Sequence, residues 1–480
     1  MSISFFIGID IGTQGARVVL LDEKGKQVAV KEEVFPLSDN SREQQSPAIW
    51  WDCCEKLIPA LLDGVSRDIP IEKIKAIAVT STSGTIIPLG HDFNPIHPAI
   101  MYSDPRSGEE AKFCKEIARR EINHGYTAFN ASSGLPKMKW FLNQFPDKTD
   151  QLLHFIHASD FITGRLCGEY GTTDHTNALK SGYDLHNDKW PDYISSQIGI
   201  HKEWLQVVKP SGTPLRPLLP QLAASWNLST EVMVTTGMTD GCASQVASGA
   251  MSPGQWNTTI GTTLVVKGVT KKEVIDPTGA IYNHRHPEGY WMPGGASNTG
   301  ADWVSRLFAG EDLQALGEAA SKWLPAKSLA WPLMQSGERF PFFSPGAKGF
   351  WPEGDRVEQF TSCMEGVAFI ERYAYERISS LSGEKIERIY SAGGASHSDT
   401  WLRIRANVLN RPVCKMKNVS GAAGAAILAA SKTHYKSLQE SSSNMVEAAM
   451  TCEPEPDLVN LYDQKYKLFI EELKKREILD

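Results

Sequence analysis

The sequence predicts an α/β protein made of two large domains, each built on a mixed β-sheet. Short apolar runs separated by glycine-bearing turns open the chain, and a helix and a buried strand follow them, which is the alternation expected of α/β layers. The same opening pattern returns near residue 256. A chain of 480 residues, 41% hydrophobic and 22% charged, is long enough to bury the cores of two or three globular domains.

The individual elements follow from the spacing of apolar residues and from the turn residues between them. Pro47 lies early in a segment with helical spacing, where proline is tolerated because the first N–H groups of a helix have no partner. We predict strands at 5–9, 17–21, 28–35 and 74–80, turns at 10–15 and 22–25, a helix at 46–65, a surface connection at 210–220 and a solvated closing helix at 458–479.

A second hairpin predicts an internal duplication. Residues 256–267 read again as strand, Gly-Thr turn and strand, and 389–395 reads as a strand that runs into a glycine-rich turn. Repetition of a whole unit is the first explanation to seek in a chain of this length. We therefore predict an N-terminal domain at 1–245 and a C-terminal domain at 246–480.

Charge and cysteine content exclude several classes of protein. Lys and Arg number 49 against 56 Asp and Glu, a net charge of −7 without a basic block, which argues against a nucleic-acid partner. The chain has no apolar run of 18 residues, and its first residues lack the basic segment of a signal peptide, so we expect no membrane association. Eight scattered cysteines without a C-x-x-C pair favour a reduced, cytoplasmic protein.

Glycine-bearing turns at strand ends suit the phosphates of a nucleotide. Glycine lets the backbone approach phosphate oxygens closely, and backbone N–H groups and threonine hydroxyls donate to them. Asp10 within the first turn would hold Mg²⁺, directly or through water, and Arg17 would neutralise charge on the transferred group. Two structural roles stay open, a turn residue for Asp10 and a solvated strand charge for Arg17.

Asp240 is the second acidic residue of interest. It follows an apolar, threonine-rich strand and precedes a helix of small residues, so it lies at or just before a helix N-terminus. That position suits a capping residue, and it equally suits a general base held ionised by the helix dipole. The chain carries no P-loop, no G-x-G-x-x-G at a strand-to-helix junction and no G-x-S-x-G, so these motifs support neither a dehydrogenase nor a serine hydrolase.

Together these motifs resemble the FGGY carbohydrate kinases, members of the actin-like ATPase fold, along essentially the full chain. In chain order, the motifs are 8–17 for phosphate, 137–144 for the Lys-x-x-Trp signature, 239–241 for the catalytic base and 259–263 for the second phosphate turn. Three further motifs follow at 337–341, 365–369 and 392–396. Gly134 stands where the first signature usually has Pro, Ser or Thr, and 358–365 fits the second signature in part. The resemblance implies two ribonuclease H-like domains with a cleft between them.

The resemblance also implies roles for individual residues. Asp240 would be the catalytic base, and ATP and Mg²⁺ the cofactors. The residues expected to bind ATP or its phosphates are Asp10, Gly12, Thr13, Gln14, Gly15, Arg17, Gly261, Thr262, Thr263, Asn298, Gly393, Gly394, Ala395 and Ser398. The residues expected to bind the sugar are Ser83, Gly84, Asp104, Arg106, Asp240 and Gly241.

The expected substrate is a small sugar, and one loop discriminates between candidates. Xylulokinases of this family usually carry Gln-Met-His-Gly after the strand at 74–80, whereas this chain has Ser-Thr-Ser-Gly at 81–84. That loop, with 174–183 and 294–300, is similar to the D-ribulokinase-type branch, so we expect phosphorylation of D-ribulose to D-ribulose 5-phosphate. D-Xylulose, L-ribulose, a polyol, glycerol and a non-catalytic nucleotide-binding module remain alternatives. Many relatives dimerise, which makes a homodimer the assembly to test.

Overall fold

The computed structural model describes residues 3–67, 69–122 and 125–479. The described chain forms two compact units. The first comprises the chain up to Ala247 together with His284–Gly289 and Asn418–Val446. The second comprises Ser248–Asn283, Tyr290–Lys417 and the chain from Glu447 onward.

The half of the chain up to Ser248 alternates strands and helices. Its strands are β1 (Phe5–Ile11), β2 (Gly15–Asp22), β3 (Gln27–Val34), β4 (Gln44–Gln45), β5 (Ile74–Ser81), β6 (Ile86–Gly90), β7 (Ala99–Ile100), β8 (Leu152–His157), β9 (Thr172–Asp174), β10 (Val207–Lys209), β11 (Pro214–Pro217), β12 (Met233–Thr235) and β13 (Met238–Thr239). Its helices are α1 (Pro47–Asp63), α2 (Gly108–Glu121), α3 (Gly134–Gln144), α4 (Ala158–Cys167), α5 (His175–Ala178), α6 (Pro220–Ser225) and α7 (Asp240–Ser248).

The remaining half also combines strands with helices, and it contains the longest helix of the described residues. Its strands are β14 (Gln255–Ile260), β15 (Leu264–Gly268), β16 (Tyr282–Arg285), β17 (Trp291–Ser297), β18 (Arg388–Ala392), β19 (Val413–Met416) and β20 (Ala448–Cys452). Its helices are α8 (Asp302–Leu307), α9 (Leu313–Ala320), α10 (Arg356–Ser382), α11 (Asp399–Leu409), α12 (Gly421–Ala430), α13 (Leu438–Met445) and α14 (Pro456–Lys475).

The two largest sheets share one pairing scheme. In the first, β1 pairs antiparallel with β2 and β2 with β3, while β1 pairs parallel with β5, β5 parallel with β12, and β12 antiparallel with β11. In the second, β14, β15, β17, β18, β19 and β20 pair in the corresponding order and directions. The predicted α/β class is therefore confirmed. The repeat that the sequence shows in one hairpin is part of a pairing scheme that six strands of each sheet share.

Apolar alternation explains how the first sheet packs. Successive strand side chains point to opposite faces, and Phe5, Ile7 and Ile9 lie in the same buried core as Trp50 and Leu57 of α1. Predicted strands 5–9, 17–21 and 74–80 correspond to β1, β2 and β5, and the predicted helix corresponds to α1. The first hairpin therefore follows from local sequence alone.

Helix α12 returns to the first unit, which the sequence did not predict. All ten of its residues are buried, and they are glycine, alanine, isoleucine and leucine. A Cβ on Gly8 of β1 would lie 1.9 Å from the Ala422 carbonyl oxygen, and one on Gly424 would lie 1.9 Å from the Ala243 carbonyl oxygen. The small residues thus admit α12 between β1 and α7. The chain crosses back at residue 418, so the first unit contains residues from both halves of the chain, and the division into domains at 1–245 and 246–480 stays a prediction.

The stretch 210–220 is more regular than predicted. It contains β11, which pairs antiparallel with β12 at the edge of the first sheet, and α6 begins at Pro220. Proline is tolerated in an edge strand because one side of that strand needs no ladder hydrogen bonds. The prediction of a surface connection was wrong for these residues.

The closing helix is present as α14, with Tyr462, Phe469 and Leu473 buried in the second core. Among the described residues, no helix combines the length and apolar character needed to cross a membrane.

Candidate active site

Three parallel strands of the first unit end at the same edge of the sheet. β5 lies between β1 and β13, and Thr80 is level with Asp10 on one side and with Met238 on the other. Asp240 begins α7 directly after β13. The residues that follow parallel strands therefore gather at one edge, as is usual for ligand sites on open α/β sheets.

The carboxyl groups of Asp10 and Asp240 lie close enough to interact. Burial is the main cause that raises the pKa of Asp10 to about 7, the negative charge of Asp240 raises it further, and the positive charge of Arg17 opposes both. Asp240 is exposed, and its Oδ1 accepts a hydrogen bond of 2.6 Å from the Gly241 N–H. Two predicted site residues, far apart in sequence, are thus neighbours.

The turn between β1 and β2 is a tight hairpin turn that requires glycine. The Gly12 N–H donates to the Gly15 carbonyl oxygen at 2.9 Å, and a Cβ on Gly15 would lie 2.3 Å from the Glu33 carbonyl oxygen, so only glycine fits there. The turn separates two open pockets. Asp10, Gly12, Gln14, Gly15 and Arg17 line one of about 510 Å³, and Gly12, Thr13, Gln14 and Gly15 line another of about 870 Å³.

Arg17 has a partner that the sequence did not predict. It lies level with Asp10 on one side and with Glu32 on the other, and its Nε donates to Glu32 Oε2 at 2.9 Å. The side chain is half-exposed, so the ion pair contributes little stability. The predicted contact between Arg17 and the transferred phosphate stays a prediction.

The start of α12 lies against Asp10. A Cβ on Gly421 would lie 2.6 Å from Asp10 Oδ2, so a larger residue would displace the carboxylate. The Ser420 hydroxyl caps the helix by accepting from the Ala423 N–H at 3.2 Å. Our sequence analysis missed Gly421, although a serine followed by a run of glycine and alanine is a readable helix start.

The predicted sugar residues form two connected groups. Gly84 has φ of +85°, and a Cβ there would lie 2.2 Å from the Ser132 carbonyl oxygen, so the turn after β5 requires glycine. The neighbouring Ser83 hydroxyl is buried without a hydrogen-bond partner among the described residues. Tyr102 N–H donates to Thr85 Oγ1 at 3.2 Å, which ties the loop at 102–106 to this turn.

Asp104 and Arg106 bind each other. Asp104 is buried and accepts from the Arg106 backbone N–H at 2.9 Å and from its Nη2 at 2.7 Å. The Arg106 guanidinium also lies 4.6 Å from the ring centre of Trp140, the tryptophan of the Lys-x-x-Trp signature. Asp104 and Arg106 thus form an ion pair within this loop, and their direct contact with the sugar stays a prediction.

The second unit presents a matching set of turns. Gly261 N–H donates to the Thr263 carbonyl oxygen at 3.0 Å, so 261–263 form the tight turn between β14 and β15. A Cβ on Gly393, at φ of +82°, would lie 2.5 Å from the Ile260 carbonyl oxygen. Because β14 and β18 are parallel, the predicted nucleotide residues Gly261, Thr262, Thr263, Gly393, Gly394 and Ala395 lie at the ends of adjacent strands.

Two further predicted nucleotide residues have structural partners. Ser398 caps α11 by accepting from the Trp401 N–H at 3.2 Å, and the Asn298 side chain donates to the Gly337 carbonyl oxygen at 2.8 Å. Their contact with nucleotide stays a prediction.

Buried Glu338 organises the Asn298 loop, since it accepts from the Asn298 N–H at 2.7 Å and the Thr299 hydroxyl at 2.8 Å. Its position inside the 337–341 motif was the sequence signal for this role.

The chain is similar to known carbohydrate kinases over its whole length. The N-terminal domain of the FGGY family of carbohydrate kinases matches residues 5–247, and the C-terminal domain of that family matches 256–433. A xylulose kinase of Bacillus subtilis (strain 168) is 25% identical over 97% of this chain and 96% of its own length. A gluconokinase of the same strain is 23% identical over 97% of this chain and 95% of its own length.

Solved structures agree at the level of the fold. The xylulose kinase from Rhodospirillum rubrum superimposes with a TM-score of 0.84 at 23% identity, covering 98% of each chain. This similarity confirms the predicted actin-like ATPase fold. With both family domains matched and the turns and acidic residues in place, the chain belongs to the FGGY family of carbohydrate kinases and is a sugar-phosphorylating phosphotransferase.

Proposed function

We propose that this kinase transfers the γ-phosphoryl group of ATP to the terminal hydroxyl of a ketopentose, with D-ribulose as the expected substrate and D-ribulose 5-phosphate as the product. The observation that carries the proposal is the convergence of Asp10 and Asp240 beside the Gly12–Gly15 turn. A single aspartate in a glycine-bearing turn is common and needs no function. Two aspartates from distant parts of the chain beside one such turn can instead serve phosphoryl transfer, one by holding a cation and one by accepting a proton.

Asp240 is the proposed general base. Its carboxylate is exposed at the first residue of α7, where the helix N-terminus favours negative charge. It would orient the C5 hydroxyl of the sugar and accept its proton as the oxygen attacks the γ-phosphorus in line. Positioning and electrostatic stabilisation supply most of the rate in such transfers, because little covalent chemistry falls to the protein.

The residues present suit a Mg²⁺ ion held mainly by phosphate and water. Among the described residues, no group of three or more His, Cys, Asp or Glu side chains could enclose a metal. Mg²⁺ characteristically takes one or two carboxylates and completes its shell with water and substrate phosphates. Asp10 would hold the ion, which supplies charge neutralisation to the phosphates when bound. The half-buried Asp10, with its pKa raised by burial and by Asp240, is the kind of carboxylate that a cation would stabilise in its ionised form.

Glycine-bearing turns are the proposed contacts for the nucleotide. The N–H groups of Gly12 and Gly261 close their own turns, so the proposed donors to phosphate oxygens are the remaining backbone N–H groups and the threonine hydroxyls of the Gly12–Gly15 turn and of 261–263. Residues 393–395 and Ser398 are the proposed contacts for the adenosine part.

The orphaned Ser83 hydroxyl supports a polar ligand such as a sugar at this turn, and the preference for D-ribulose rests on the Ser-Thr-Ser-Gly loop. The resemblance places a Met-His pair against the sugar in xylulokinases, and this chain has Thr82 and Ser83 there. A buried hydroxyl without a partner is costly unless a ligand or water satisfies it, so a sugar hydroxyl is a suitable partner for Ser83. D-Xylulose is the second candidate, because the relatives over the full length include xylulose kinases.

A panel of acceptors measured by coupled ADP release tests the proposal. The panel holds D-ribulose, D-xylulose, L-ribulose, gluconate, glycerol and a reaction without sugar, each at varied concentration. We expect the highest kcat/KM with D-ribulose. A higher value with D-xylulose would replace the expected substrate, and ATP binding without any sugar-stimulated ADP release would revive the non-catalytic module.

A further inference from the structure

We infer that the hydroxyl groups of Thr80 and Thr176 position the catalytic base, by holding from both sides the Met238–Thr239 peptide, which lies one residue before Asp240. The inference rests on the proposed function, in which Asp240 is that base. Neither threonine contacts substrate in this scheme, so both are positioning residues.

The peptide in question joins Met238 to Thr239, and both of its polar groups are bound by threonine side chains. The Thr80 hydroxyl donates to the Met238 carbonyl oxygen at 2.9 Å. The Thr239 N–H donates to Thr176 Oγ1 at 2.8 Å. All four residues are buried, so water does not compete for these bonds.

Asp174 fixes the direction of the second bond. The Thr176 hydroxyl donates its only proton to Asp174 Oδ1 at 2.6 Å, which leaves its oxygen to accept from the Thr239 N–H. The same carboxylate accepts from the Thr176 N–H at 2.8 Å and from the Ser211 hydroxyl at 3.0 Å, and Asn177 Nδ2 donates to its other oxygen. These donors allow a buried carboxylate to serve as the acceptor at the end of the chain of bonds.

Two bonds on opposite edges of one peptide restrict its rotation. Strand pairing alone aligns Met238 with Thr80 and Thr239 with Ser81, but it leaves β13 only two residues long. The hydroxyl bonds add a restraint on each side of the Met238–Thr239 peptide, one residue before the aspartate that is the proposed base. A shift of about 1 Å at a reacting group can lower a rate by about 100-fold, so a restraint at this position has consequences for catalysis.

A purely structural role is the competing explanation, since buried polar groups need partners in any fold. Thr173 provides a matched control for it. It is a fully buried threonine on β9, close in sequence to Thr176, and its Oγ1 lies 3.1 Å from His157 Nδ1 with no bond to the Met238–Thr239 peptide. Thr173→Val removes the same kind of group from the same kind of environment without touching the proposed restraint.

Steady-state ADP release with D-ribulose and D-xylulose, together with thermal unfolding, tests the inference. The variants are Thr176→Val, Thr176→Ser, Thr80→Val, Thr173→Val, Asp240→Asn and the double variant Asp240→Asn/Thr176→Val. We expect Thr176→Val and Thr80→Val to lower kcat by about 100-fold with the KM for ATP unchanged. We expect Thr176→Ser to keep wild-type kcat, and Thr173→Val to lose Tm without losing kcat. The double variant should be no slower than Asp240→Asn, because the threonine acts through that carboxylate.

The outcomes separate this inference from the proposed function. If Asp240→Asn is inactive but Thr176→Val has the same kcat as the control Thr173→Val, the inference is overturned and the proposed function is not. Near-wild-type turnover by Asp240→Asn overturns the assignment of the base and the inference with it. If Thr176→Val does not fold, Thr80→Val applies the same test from the other side of the peptide, and its full activity overturns the inference.

Discussion

At the scale of single residues, the environment of a carboxylate decides which task it can perform. Asp10 is half-buried with a raised pKa, while Asp240 is exposed at a helix start, although the two influence each other. Asp174 is fully buried, and burial is the main cause that raises its pKa, yet its oxygens accept from several donors. Asp10, Asp240 and Asp174 thus suit cation binding, proton transfer and backbone support, respectively.

Replacing the proposed base tests the assignment of proton transfer to Asp240. We expect Asp240→Asn to lower kcat by about 10²- to 10⁴-fold, because the amide cannot accept the hydroxyl proton, while ATP binding measured by calorimetry is retained. Asp457→Asn is the matched control, since Asp457 is also an exposed aspartate in the first turn of a helix. Equal turnover of the two variants would contradict the assignment.

Buried Lys137 of the signature helix predicts a pH dependence of stability. Burial is the main cause that lowers its pKa from 10.5 to about 7, nearby Asp104 raises it, and Lys180 lowers it. Between these two pH values the unfolded chain binds a proton that the folded chain does not. The free energy of unfolding therefore rises with pH across that window, by up to about 5 kcal/mol.

Urea unfolding of wild type and Lys137→Met across pH about 7 to about 10.5 measures this contribution. We expect the free energy of unfolding of wild type, taken relative to the variant, to increase with pH. Lys139→Met, two residues further along α3 and partly exposed, controls for removing a lysine from this helix. A difference between wild type and Lys137→Met that does not change with pH would contradict the prediction.

At the scale of elements, close backbone approach depends on single glycines. At Gly8 on β1 and at Gly424 on α12, a neighbouring backbone carbonyl lies too close for a methyl group to replace the glycine hydrogen. We expect Gly8→Ala and Gly424→Ala each to lower the free energy of unfolding by about 1–3 kcal/mol, because α12 must shift away from its neighbour. Gly108→Ala at the start of α2 is the control, since a Cβ there would meet no atom within 4 Å. Urea unfolding midpoints compare the three, and an equal effect at Gly108 would contradict the explanation.

The sequence predicted those elements that depend on residues only a few positions apart. The hairpins, their glycine turns, α1 and α14 follow from apolar spacing and turn residues within a few positions. The sequence analysis missed β11 because its prolines favour a connection over a strand. Proline is compatible with a strand at the edge of a sheet, and only the tertiary structure shows that β11 lies at an edge. The partner of Arg17 was missed for a related reason, since the register between β2 and β3 decides that Glu32 lies opposite.

At the scale of the whole molecule, the two sheets show that the repeated hairpin belongs to a repeated pairing scheme. The first unit is nevertheless incomplete without a late segment of the chain, because α12 fills the space between β1 and α7. We expect a fragment ending at Ala247 to lack a cooperative unfolding transition and to be cleaved rapidly by protease. The same fragment joined by a flexible linker to residues 418–446 should regain both. A fragment ending at Ala247 that unfolds cooperatively by itself would contradict this view of the unit.

The sequence by itself determined the α/β class, the family, the glycine turns and the two aspartates on which the proposed chemistry depends. These depend on residue type and spacing within short windows, where sterics and backbone hydrogen bonding act locally. Only the tertiary structure decided that β5 brings Asp10 and Asp240 together, that α12 returns to β1, and that Thr80 and Thr176 bind the peptide before the base. Such contacts join residues far apart in the chain, and they exist only once strand order and helix packing place them side by side.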